Sequence, residues 1–507
     1  MDIRILFTLL LLASSIKGWS QLSDTHYIPP FYALNHTSTV AQEQEVYITT
    51  PHDSATYTIT DGSGTVLQTG TVKKGDYKSL YSVGYGTPFI CDDTELNQVL
   101  ANKGYIVTAD TAIYVNVRVT AGSLGNPAQA GSLTSKGIAT YGTTYRLGHF
   151  PSVEDHSRKS SGYSIMATEN GTNITINFNS QGMVFDGSGA PSSAVPLNIT
   201  LQKGETYTAA IHLQDSPNNL DTGLIGTLIT SNNAIAVNTG SWAGSLINNG
   251  GADVGIDQIV DANLVGDEYV LVRGQGKVTG TSNDNDMEQV MIVAHENATD
   301  IFVNANLTSI ATINAGEYFL IDGSNYINEA MHVKTSKAAY VYQFILGEDD
   351  GTNTQGMNFI PPISCYTSQE INSIPVIDSI GTKKYKGGLT IVAKTGSNIL
   401  VNGVAPTVLP IDVIGQYEAY KIEGLTGNVV VTTNSIALVG FFGFSDAAGY
   451  GGYYSGFDQV TFNSGLADDC PPGVLKVSAN LTVTYQWYRD NVLLPGETND
   501  SLAFTQE

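Results

Sequence analysis

Two acidic segments of the sequence, residues 283–288 and 348–353, carry closely spaced oxygen ligands of the kind that calcium prefers. Calcium takes about six to eight oxygen ligands, and neighbouring carboxylates that repel one another are stabilised by such a cation. A solvated polar turn is the alternative for each segment, because neither has the spacing of an EF-hand. The calcium ligands that we predict are Asp284, Asp286, Glu288, Asp349 and Asp350.

A second candidate site is aromatic. The run Gly449 to Phe457 (GYGGYYSGF) places aromatic side chains among glycines, with few other residues for them to pack against. Aromatic rings on flexible loops stack on sugar rings or anchor a protein partner. The alternative is that these rings fill the core at the end of the β array. The residues for which we predict ligand binding are Tyr450, Tyr453, Tyr454 and Phe457.

The chain has three cysteines, Cys91, Cys365 and Cys470. In an oxidising compartment one pair is able to form a disulfide, and the pairing that we favour is Cys91 with Cys365. Three buried free thiols are the alternative. In either case three cysteines do not form a disulfide scaffold in so long a chain, so stability must come from packing.

No catalytic motif accompanies these residues. The sequence has no His-Glu-x-x-His, no Gly-x-Ser-x-Gly, no phosphate-binding Gly-Lys-Ser/Thr loop and no Cys-x-x-Cys pair. His149 and His156 are the closest pair of histidines, and we interpret them as a surface loop because no further ligand spacing supports a metal site. Asp253, Asp257 and Asp261 are interpreted as turn and capping residues. We predict no enzymatic activity and no cofactor other than calcium.

Composition excludes several classes of function. The chain has 23 basic and 47 acidic residues, a formal charge of −24. This acidic balance argues against nucleic acid and against anionic membrane surfaces, since both need basic patches. Hydrophobic residues make up 42% and charged residues 14% of the 507 residues, which predicts a folded chain of several domains.

The first 20 residues have the pattern of a secretory signal peptide. Arg4 supplies a positive charge, the apolar run Ile5 to Leu12 follows, and small residues precede a cleavage site before Gln21. The apolar run is too short to span a bilayer, and no later run is long enough. We therefore expect an exported chain, secreted or held at a cell surface, without a transmembrane segment.

Residues 21–460 repeat a β unit of roughly a hundred residues four times. Each copy combines strands of alternating apolar and polar residues with a turn that contains glycine and an aromatic residue. The third copy shows this best, with Thr299 to Asn304 (TDIFVN) followed by Ala315 to Tyr318 (AGEY). Glycine lets such a turn adopt a positive φ. The turn glycines are Gly75, Gly204, Gly316 and Gly415.

These patterns predict an all-β fold. Each unit fits either one β-sandwich or two propeller blades. The segment His26 to Tyr32 (HYIPPFY) resembles Asn358 to Ser364 (NFIPPIS), so the start of the chain is able to complete the last unit and close a ring. We favour propeller-like closure, with tandem β-sandwiches as the alternative.

The C-terminal residues predict a linker and part of another domain. Residues 461–473 contain an Asp-Asp-Cys-Pro-Pro-Gly sequence that is typical of a linker. Residues 474–507 place Trp487 in a Tyr-Gln-Trp-Tyr stretch that is similar to the central strands of an immunoglobulin-like domain. The segment is too short for that whole fold, so we expect a truncated domain whose missing part carries a surface anchor.

Several passages resemble the N-terminal domain of the mucus-associated IgG Fc-binding protein family, which also occurs in secreted bacterial proteins. The clearest is Asp253 to Gly274 (DVGIDQIVDANLVGDEYVLVRG); Val333 to Phe344, Phe359 to Pro362 and Gly449 to Phe457 also fit. The resemblance is densest over residues 160–460, and Ala338 stands where the family has a proline. Gln21 after the predicted cleavage site and the immunoglobulin-like tail are similar to exported proteins of gliding, Bacteroidetes-type bacteria. The resemblance implies extracellular adhesion or matrix binding.

We therefore expect a non-enzymatic binding or adhesion protein, secreted or at the cell surface. Its expected partners are extracellular glycoproteins, mucin-like molecules or polysaccharides, contacted by loops of a rigid β framework. Two alternatives remain from other classes of function: a secreted carbohydrate-active or proteolytic enzyme whose site is assembled across loops, and a purely structural component of a matrix.

Overall fold

The computed structural model describes most of the chain between residues 21 and 504. The described residues are 21–123, 125–151, 159–212, 222–246, 253–274, 288–346, 354–363, 370–445 and 448–457, with 462–466, 473–479, 488–489, 492–496, 499 and 501–504. Contacts divide the chain into a large body of residues 20–458 and a second body that contains residues 459–507. The predicted signal peptide lies outside the described residues.

The main part of the first unit of the large body consists of two sheets that share one long strand. Its strands are β1 (Ser23–Ile28), β2 (Phe31–Tyr32), β3 (Val40–Thr49), β4 (Ser54–Asp61), β5 (Val66–Lys73), β6 (Lys78–Val83), β7 (Ile90–Cys91), β8 (Val99–Leu100), β9 (Tyr105–Ser123) and β10 (Asn126–Thr134). The first half of β9 pairs with β1 and β4, and β4 pairs with β5. The second half pairs with β3 and β10, and β3 pairs with β6.

The second unit has the same pairing order. Its strands are β11 (Gly142–Arg146), β12 (Ser160–Ala167), β13 (Thr172–Asn177), β14 (Leu197–Leu201), β15 (Thr206–His212), β16 (Leu228–Gly244) and β17 (Asp253–Ile259). The first half of β16 pairs with β11 and β13, and β13 pairs with β14. The second half pairs with β12 and β17, and β12 pairs with β15.

In the third unit the long strand is divided into two, which separates the two sheets. Its strands are β18 (Glu268–Val272), β19 (Gln289–Ala294), β20 (Thr299–Val303), β21 (Ala311–Ile313), β22 (Tyr318–Ile321), β23 (Ala330–Thr335), β24 (Ala339–Leu346) and β25 (Thr354–Phe359). One sheet has the order β18-β23-β20-β21, and the other has the order β22-β19-β24-β25.

The fourth unit is divided in the same way. Its strands are β26 (Glu370–Ile374), β27 (Ser379–Ile380), β28 (Lys383–Lys384), β29 (Lys386–Lys394), β30 (Ile399–Val401), β31 (Ile411–Val413), β32 (Tyr417–Leu425), β33 (Val429–Thr433), β34 (Ala437–Ser445) and β35 (Ala448–Tyr453). Its two larger sheets have the orders β26-β33-β30 and β31-β32-β29-β34-β35, and β27 pairs with β28.

The predicted all-β fold is confirmed. Within the described ranges the helical residues are limited to 3-10 turns, at Gly137–Thr140, at Gly323–Asn325 and at residue 222. The alternation seen in the sequence matches the packing, because a strand presents successive side chains to opposite faces. In β24, for example, Tyr340 and Tyr342 pack into one apolar cluster, whereas Val341 packs into another.

The predicted turn glycines adopt the backbone conformation that was expected of them. Gly75, Gly204, Gly316 and Gly415 all have positive φ, between 73° and 85°. Gly316 also lies against Gly226, where a Cβ atom would lie 1.9 Å from the carbonyl oxygen of Gly316. Only glycine fits at residue 226, because a side chain there would push the second and third units apart.

The last strands of the four units contact one another in a cycle. β10 contacts β17, β17 contacts β25, β25 contacts β35, and β35 contacts β10. The apolar clusters follow the same order: Trp242 of the second unit packs with the first, and Phe344 of the third packs with the second. These contacts support a closed arrangement of the units. The propeller-like geometry and the tandem-sandwich alternative stay predictions.

The start of the chain does not complete the fourth unit as expected. β1 pairs with β9 in the first unit, and Ile28 at its end is buried in the apolar cluster of that unit. Gln21, just before β1, reaches the fourth unit instead. Its backbone N–H donates to the carbonyl oxygen of Phe457 at 2.6 Å, and its Nε2 donates to that of Tyr453 at 2.6 Å.

Two histidines are buried completely, and one of them, His149, was expected in a surface loop. The Nδ1 of His149 lies 2.8 Å from the carbonyl oxygen of Phe150, and the Nε2 of His26 lies 3.0 Å from that of Ile113. Burial disfavours the charged imidazolium and lowers the pKa of each ring from 6.5 to about 4. His156 lies outside the described residues.

We expect the large body to lose stability in mild acid because of these rings. The folded-state pKa lies below the unfolded value, so the contribution is present above pH 6.5 and is lost as the pH falls towards about 4. Each histidine should account for about 2–3 kcal/mol between roughly pH 7 and pH 4.5. Thermal melts between these pH values test the prediction. The melting temperature of a His149→Gln variant should fall less steeply with pH than that of the wild type. Equal slopes for variant and wild type would contradict it.

The second body contains β36 (Phe462–Leu466), β37 (Gly473–Ala479), β38 (Tyr488–Arg489), β39 (Val492–Leu493) and β40 (Ser501–Phe504). β37 pairs with β36 and β40, and β38 pairs with β39. Trp487 and residues 467–472 of the expected linker lie outside the described residues. The immunoglobulin-like domain and the domain boundaries stay predictions. Across the described ranges, no helix has the length and apolar character that a membrane crossing requires.

Candidate functional site

The aromatic run near the end of the large body is buried, in β35 and in the residues that follow it, which corrects the expectation of an exposed loop. Tyr450, Tyr453, Tyr454 and Phe457 are each at most 5% exposed. The Tyr450 hydroxyl donates to the carbonyl oxygen of a neighbouring core segment, that of Ile377, at 2.8 Å. β35 pairs with β34, whose glycines leave room for these rings. The rings therefore fill the core and are not available to stack on a ligand.

Of the predicted calcium ligands, Glu288 is the one inside the described residues. It is fully buried and accepts hydrogen bonds from the backbone N–H of Gly274 and from Nε2 of Gln343, both at 3.1 Å. Where side chains are described, no group of three or more His, Cys, Asp or Glu residues is placed to hold a metal. Calcium binding stays a prediction. The other predicted ligands, outside the described residues, are Asp284, Asp286, Asp349 and Asp350.

Cys91 is a free and fully buried cysteine, which corrects the expected disulfide with Cys365. Its Sγ lies 3.7 Å from Oγ1 of Thr208, and burial raises the pKa of the thiol to about 12. A thiol with so high a pKa is unreactive at neutral pH, because the thiolate is the reactive form. Cys365 lies outside the described residues.

A cavity of about 540 Å³ lies where the third unit meets the fourth. This volume falls in the range of small-molecule sites, about 300–1,000 Å³. Its lining combines acidic, basic, amide, aromatic and aliphatic side chains, so it offers both hydrogen bonds and apolar contact. The lining residues are Glu268, Phe302, Ala305, Asn306, Leu307, His332, Lys334, Ile414 and Gln416.

Three paired strands of the third unit position the polar side chains of this cavity. Glu268 on β18 is the register partner of Lys334 on β23, which is also the partner of Phe302 on β20. Register partners project to the same face of a sheet, so these three side chains share one face. His332 lies two residues before Lys334 and is therefore on that face as well.

A tight turn after β20 forms one side of the cavity. Asn304 and Ala305 have positive φ of 53° and 57°, which reverses the chain there. Asn304 is tied to β23, because the backbone N–H of His332 donates to its Oδ1 at 3.1 Å. The turn leads to Leu307, which is 95% exposed. A rigid polar base thus lies beside an exposed aliphatic side chain.

Glu268 and His332 form the central polar pair of the cavity. Glu268 Oε1 lies 2.9 Å from His332 Nε2, and the two side chains are 24% and 5% exposed. The imidazole stacks on the ring of Tyr417 in the fourth unit, with centroids 6.5 Å apart and planes inclined by 21°. Packing against the fourth unit thus holds the imidazole of this pair in place.

Lys334 is exposed at the edge of the cavity. In the part of the chain that the structure describes, it has no carboxylate within ion-pair distance, although Glu268 lies opposite on the neighbouring strand. Glu268 is engaged by His332 instead. The cavity therefore presents an accessible cation beside the half-buried ring of Phe302.

A second cavity, of about 440 Å³, lies within the fourth unit. Its lysine, Lys386, has Nζ 5.3 Å from the centroid of the Phe444 ring, so this cation already has an aromatic contact. Lys386 in the second cavity therefore differs from Lys334 in the first, and the second cavity is a suitable control. Its other lining residues are Tyr385, Gly387, Glu423, Gly424, Leu425 and Thr426.

The residues of the larger cavity were not among those predicted from the sequence. The alternation of the Met-His-Val-Lys-Thr sequence from Met331 to Thr335 does place His332 and Lys334 on one face. That they meet Glu268 depends on the pairing of β18 with β23, between residues more than sixty positions apart. A sequence pattern does not contain this pairing.

Two solved structures show remote likenesses to this chain. An Escherichia coli alpha-2-macroglobulin activated by porcine elastase shares 8% identity at a TM-score of 0.12, with 89% of this chain and 46% of that chain covered. A Salmonella alpha-2-macroglobulin reacted with methylamine shares 10% identity at a TM-score of 0.14, with 97% and 36% covered. The chain thus spans less than half the length of these proteins, and such TM-scores carry no argument about fold or function. Among curated proteins, none matches the chain.

A family model describes the region that holds the cavity. The model of the IgGFc binding protein matches residues 130–443, which is more than half of the 507 residues. The matched region contains all the residues that line the larger cavity, from Glu268 to Gln416. The chain therefore belongs to the IgGFc binding protein family, a family of binding proteins.

Proposed function

We propose that this chain is a non-enzymatic extracellular protein that binds glycoproteins or polysaccharides. Membership of a family of binding proteins supports the binding role. The observation that carries the proposal is the cavity between the third and fourth units, where polar and apolar side chains converge on a rigid sheet. The predicted signal peptide supports export.

The lining of this cavity suits a sugar. The ring of Phe302 and the aliphatic side chains of Leu307 and Ile414 offer apolar surface for the C–H faces of a sugar ring. Glu268 and Gln416 offer hydrogen-bond acceptors and a donor for its hydroxyl groups. The apolar side chains thus provide contact area for a bound sugar, and the hydrogen-bonding side chains fix its orientation.

A secreted carbohydrate-active enzyme is the second candidate, and the Glu268–His332 pair is the observation that favours it. A hydrogen-bonded acid and imidazole are able to transfer protons. Glycoside hydrolysis by the common mechanism needs two carboxylates across the scissile bond, and among the described residues that line the cavity Glu268 is the one acid. We therefore favour binding without turnover.

We expect the purified full chain to bind immobilised mucin or polysaccharide, and Phe302→Ala to weaken this binding about tenfold. The loss arises because the alanine removes the apolar surface beneath the sugar. Biolayer interferometry on glycan-coated surfaces measures it. Tyr77→Ala in the first unit replaces another half-buried aromatic residue and should leave binding unchanged.

Two results would overturn the proposed function. One is the absence of binding to every glycoprotein and polysaccharide surface. The other is turnover of a polysaccharide by the purified chain, with loss of that turnover in Glu268→Gln, which would favour the enzyme instead.

A further inference from the structure

We propose that the cavity between the third and fourth units selects anionic sugar residues, and that Lys334 pairs with the carboxylate or sulfate group of the sugar. This inference rests on the proposed function and adds the charge class of the ligand. It depends on three features of the cavity: an accessible cation, an acid that is held away from that cation, and an apolar ring beside it.

The cation of this cavity is accessible in an acidic chain of 47 acidic and 23 basic residues. Some described lysines of the chain have a carboxylate within ion-pair distance. Lys103 lies 2.7 Å from Glu95, and Lys421 lies 3.5 Å from Glu329. Lys334 has no such partner among the described side chains, although it lines a cavity. A cation in this position is available to a ligand anion.

Glu268, the acid opposite Lys334 on the neighbouring strand, forms its hydrogen bond with another residue. Glu268 faces Lys334 across β18 and β23, and a Lys334–Glu268 ion pair would neutralise the cavity. The Glu268 carboxylate instead accepts from His332 at 2.9 Å, and the His332 backbone is fixed by Asn304. Glu268 is thereby kept as an acceptor for sugar hydroxyl groups, while Lys334 keeps its charge for the ligand.

The neighbouring ring indicates a sugar rather than a free anion. Phe302 is the register partner of Lys334 on its other side, so the two side chains lie next to each other on one face. A sugar ring that packs on Phe302 would bring its anionic substituent next to the lysine. A charge-assisted hydrogen bond in a partly desolvated cavity is stronger than one in open water.

Biosensor surfaces that differ only in ligand charge test the proposal. Three matched pairs serve: sialyllactose and lactose, glucuronic acid and glucose, and galactose 6-sulfate and galactose. We expect the full chain to bind at least one anionic surface at least about tenfold more tightly than its neutral parent. The carboxylate and sulfate pairs distinguish the two sources of negative charge.

The Lys334→Gln variant assigns the preference to this site. Glutamine retains a hydrogen-bond donor and most of the side-chain length but removes the charge, so the preference should fall to less than about threefold, with neutral binding retained. Lys386→Gln in the second cavity is the matched control and should keep the full preference. Lys334 is exposed, so its replacement should leave the melting temperature unchanged.

Each remaining outcome contradicts a different statement. Equal binding to neutral and anionic surfaces would overturn the charge selection and leave the proposed function standing. An anionic preference that persists in Lys334→Gln would overturn the assignment to this cavity. Failure to bind any sugar surface would overturn both this inference and the proposed function.

Discussion

Replacing Arg118 by methionine is expected to lower the free energy of unfolding of the large body by about 3–5 kcal/mol. Arg118 lies on β9 in the first unit and is fully buried. Its Nη1 donates to the carbonyl oxygens of Val376 at 2.7 Å and Ser379 at 3.0 Å, and its Nη2 donates to that of Pro375 at 2.7 Å. Methionine would remove all three of these hydrogen bonds. Among the described contacts, the carbonyl oxygen of Pro375 would then have no donor, whereas that of Val376 still accepts from the backbone N–H of Ser379 and that of Ser379 from the Tyr47 hydroxyl.

Aromatic contacts add to the expected loss. The guanidinium lies 4.6 Å from the ring centroid of Tyr47, 5.1 Å from that of Phe441 and 5.2 Å from that of Tyr450. Tyr47 belongs to the first unit, whereas Phe441 and Tyr450 belong to the fourth. One planar cation therefore joins the first and last units of the cycle, through hydrogen bonds and through cation–π contacts.

Chemical denaturation followed by tryptophan fluorescence measures the loss. Arg118→Lys should also destabilise, because an ammonium group does not reproduce the planar fork that reaches three carbonyl oxygens. Lys78→Met removes an exposed cation that pairs with Asp76, and should change stability by no more than about 0.5 kcal/mol. A midpoint for Arg118→Met equal to that of Lys78→Met would contradict this account of the junction.

The buried pair Lys136–Asp257 is the second position where a single replacement should have a large effect. Lys136 Nζ lies 3.3 Å from Asp257 Oδ1, and the two side chains are 0% and 2% exposed. Desolvation by burial is the main influence on both groups, and it lowers the pKa of Lys136 and raises that of Asp257. Lys136→Met leaves the carboxylate buried without its cation and should cost about 3–5 kcal/mol.

The hydrogen bonds of Asp257 indicate which replacement removes its negative charge at the smallest loss of stability. Asp257 Oδ2 accepts from the backbone N–H of Phe359 at 3.0 Å, and Oδ1 accepts from that of Gln258 at 2.8 Å. Asn at residue 257 keeps an acceptor for one of these donors, whereas Leu keeps none. Lys136→Met combined with Asp257→Asn should therefore recover a large part of the loss, because neither charge remains.

A double-mutant cycle measures this coupling. Denaturation midpoints of both single variants and of the double variant should show an interaction energy of about 2 kcal/mol or more between the two positions. Additive losses would show that the two side chains act independently, contrary to the ion pair seen here.

Local patterns were sufficient to predict the class of the fold and the roles of several turns. Alternation in segments such as Thr299 to Asn304 identifies β20 and its neighbours, because a strand side chain sees the core at every second position. Gly204 and Gly316 were recognised as turn residues, since positive φ is a property of the local backbone.

Properties that depend on distant pairing were not predictable in the same way. Tyr450 and Tyr454 lie among glycines in sequence, which indicates an exposed loop, yet both lie in the core. The pairing of β35 with β34 places Tyr450 there, and the backbone N–H of Tyr454 donates to the carbonyl oxygen of Val439 on β34 at 2.9 Å. Asp257 is interpreted from the sequence as a turn or capping residue, yet it lies within β17, against Lys136, which follows β10 of the first unit. The position of Lys334 in a cavity was not predictable for the same reason, because the residues that line this cavity come from the third and the fourth units.

The hydrogen bond between Gln21 and Phe457 means that the large body begins and ends at one place. A few residues of linker would join these two ends, and new termini could then be opened at an exposed turn such as that of Gly75 without removing a strand from any sheet. For the same reason the body is suited to insertion into a host protein as a self-contained module, since the host chain would enter and leave it at adjoining points.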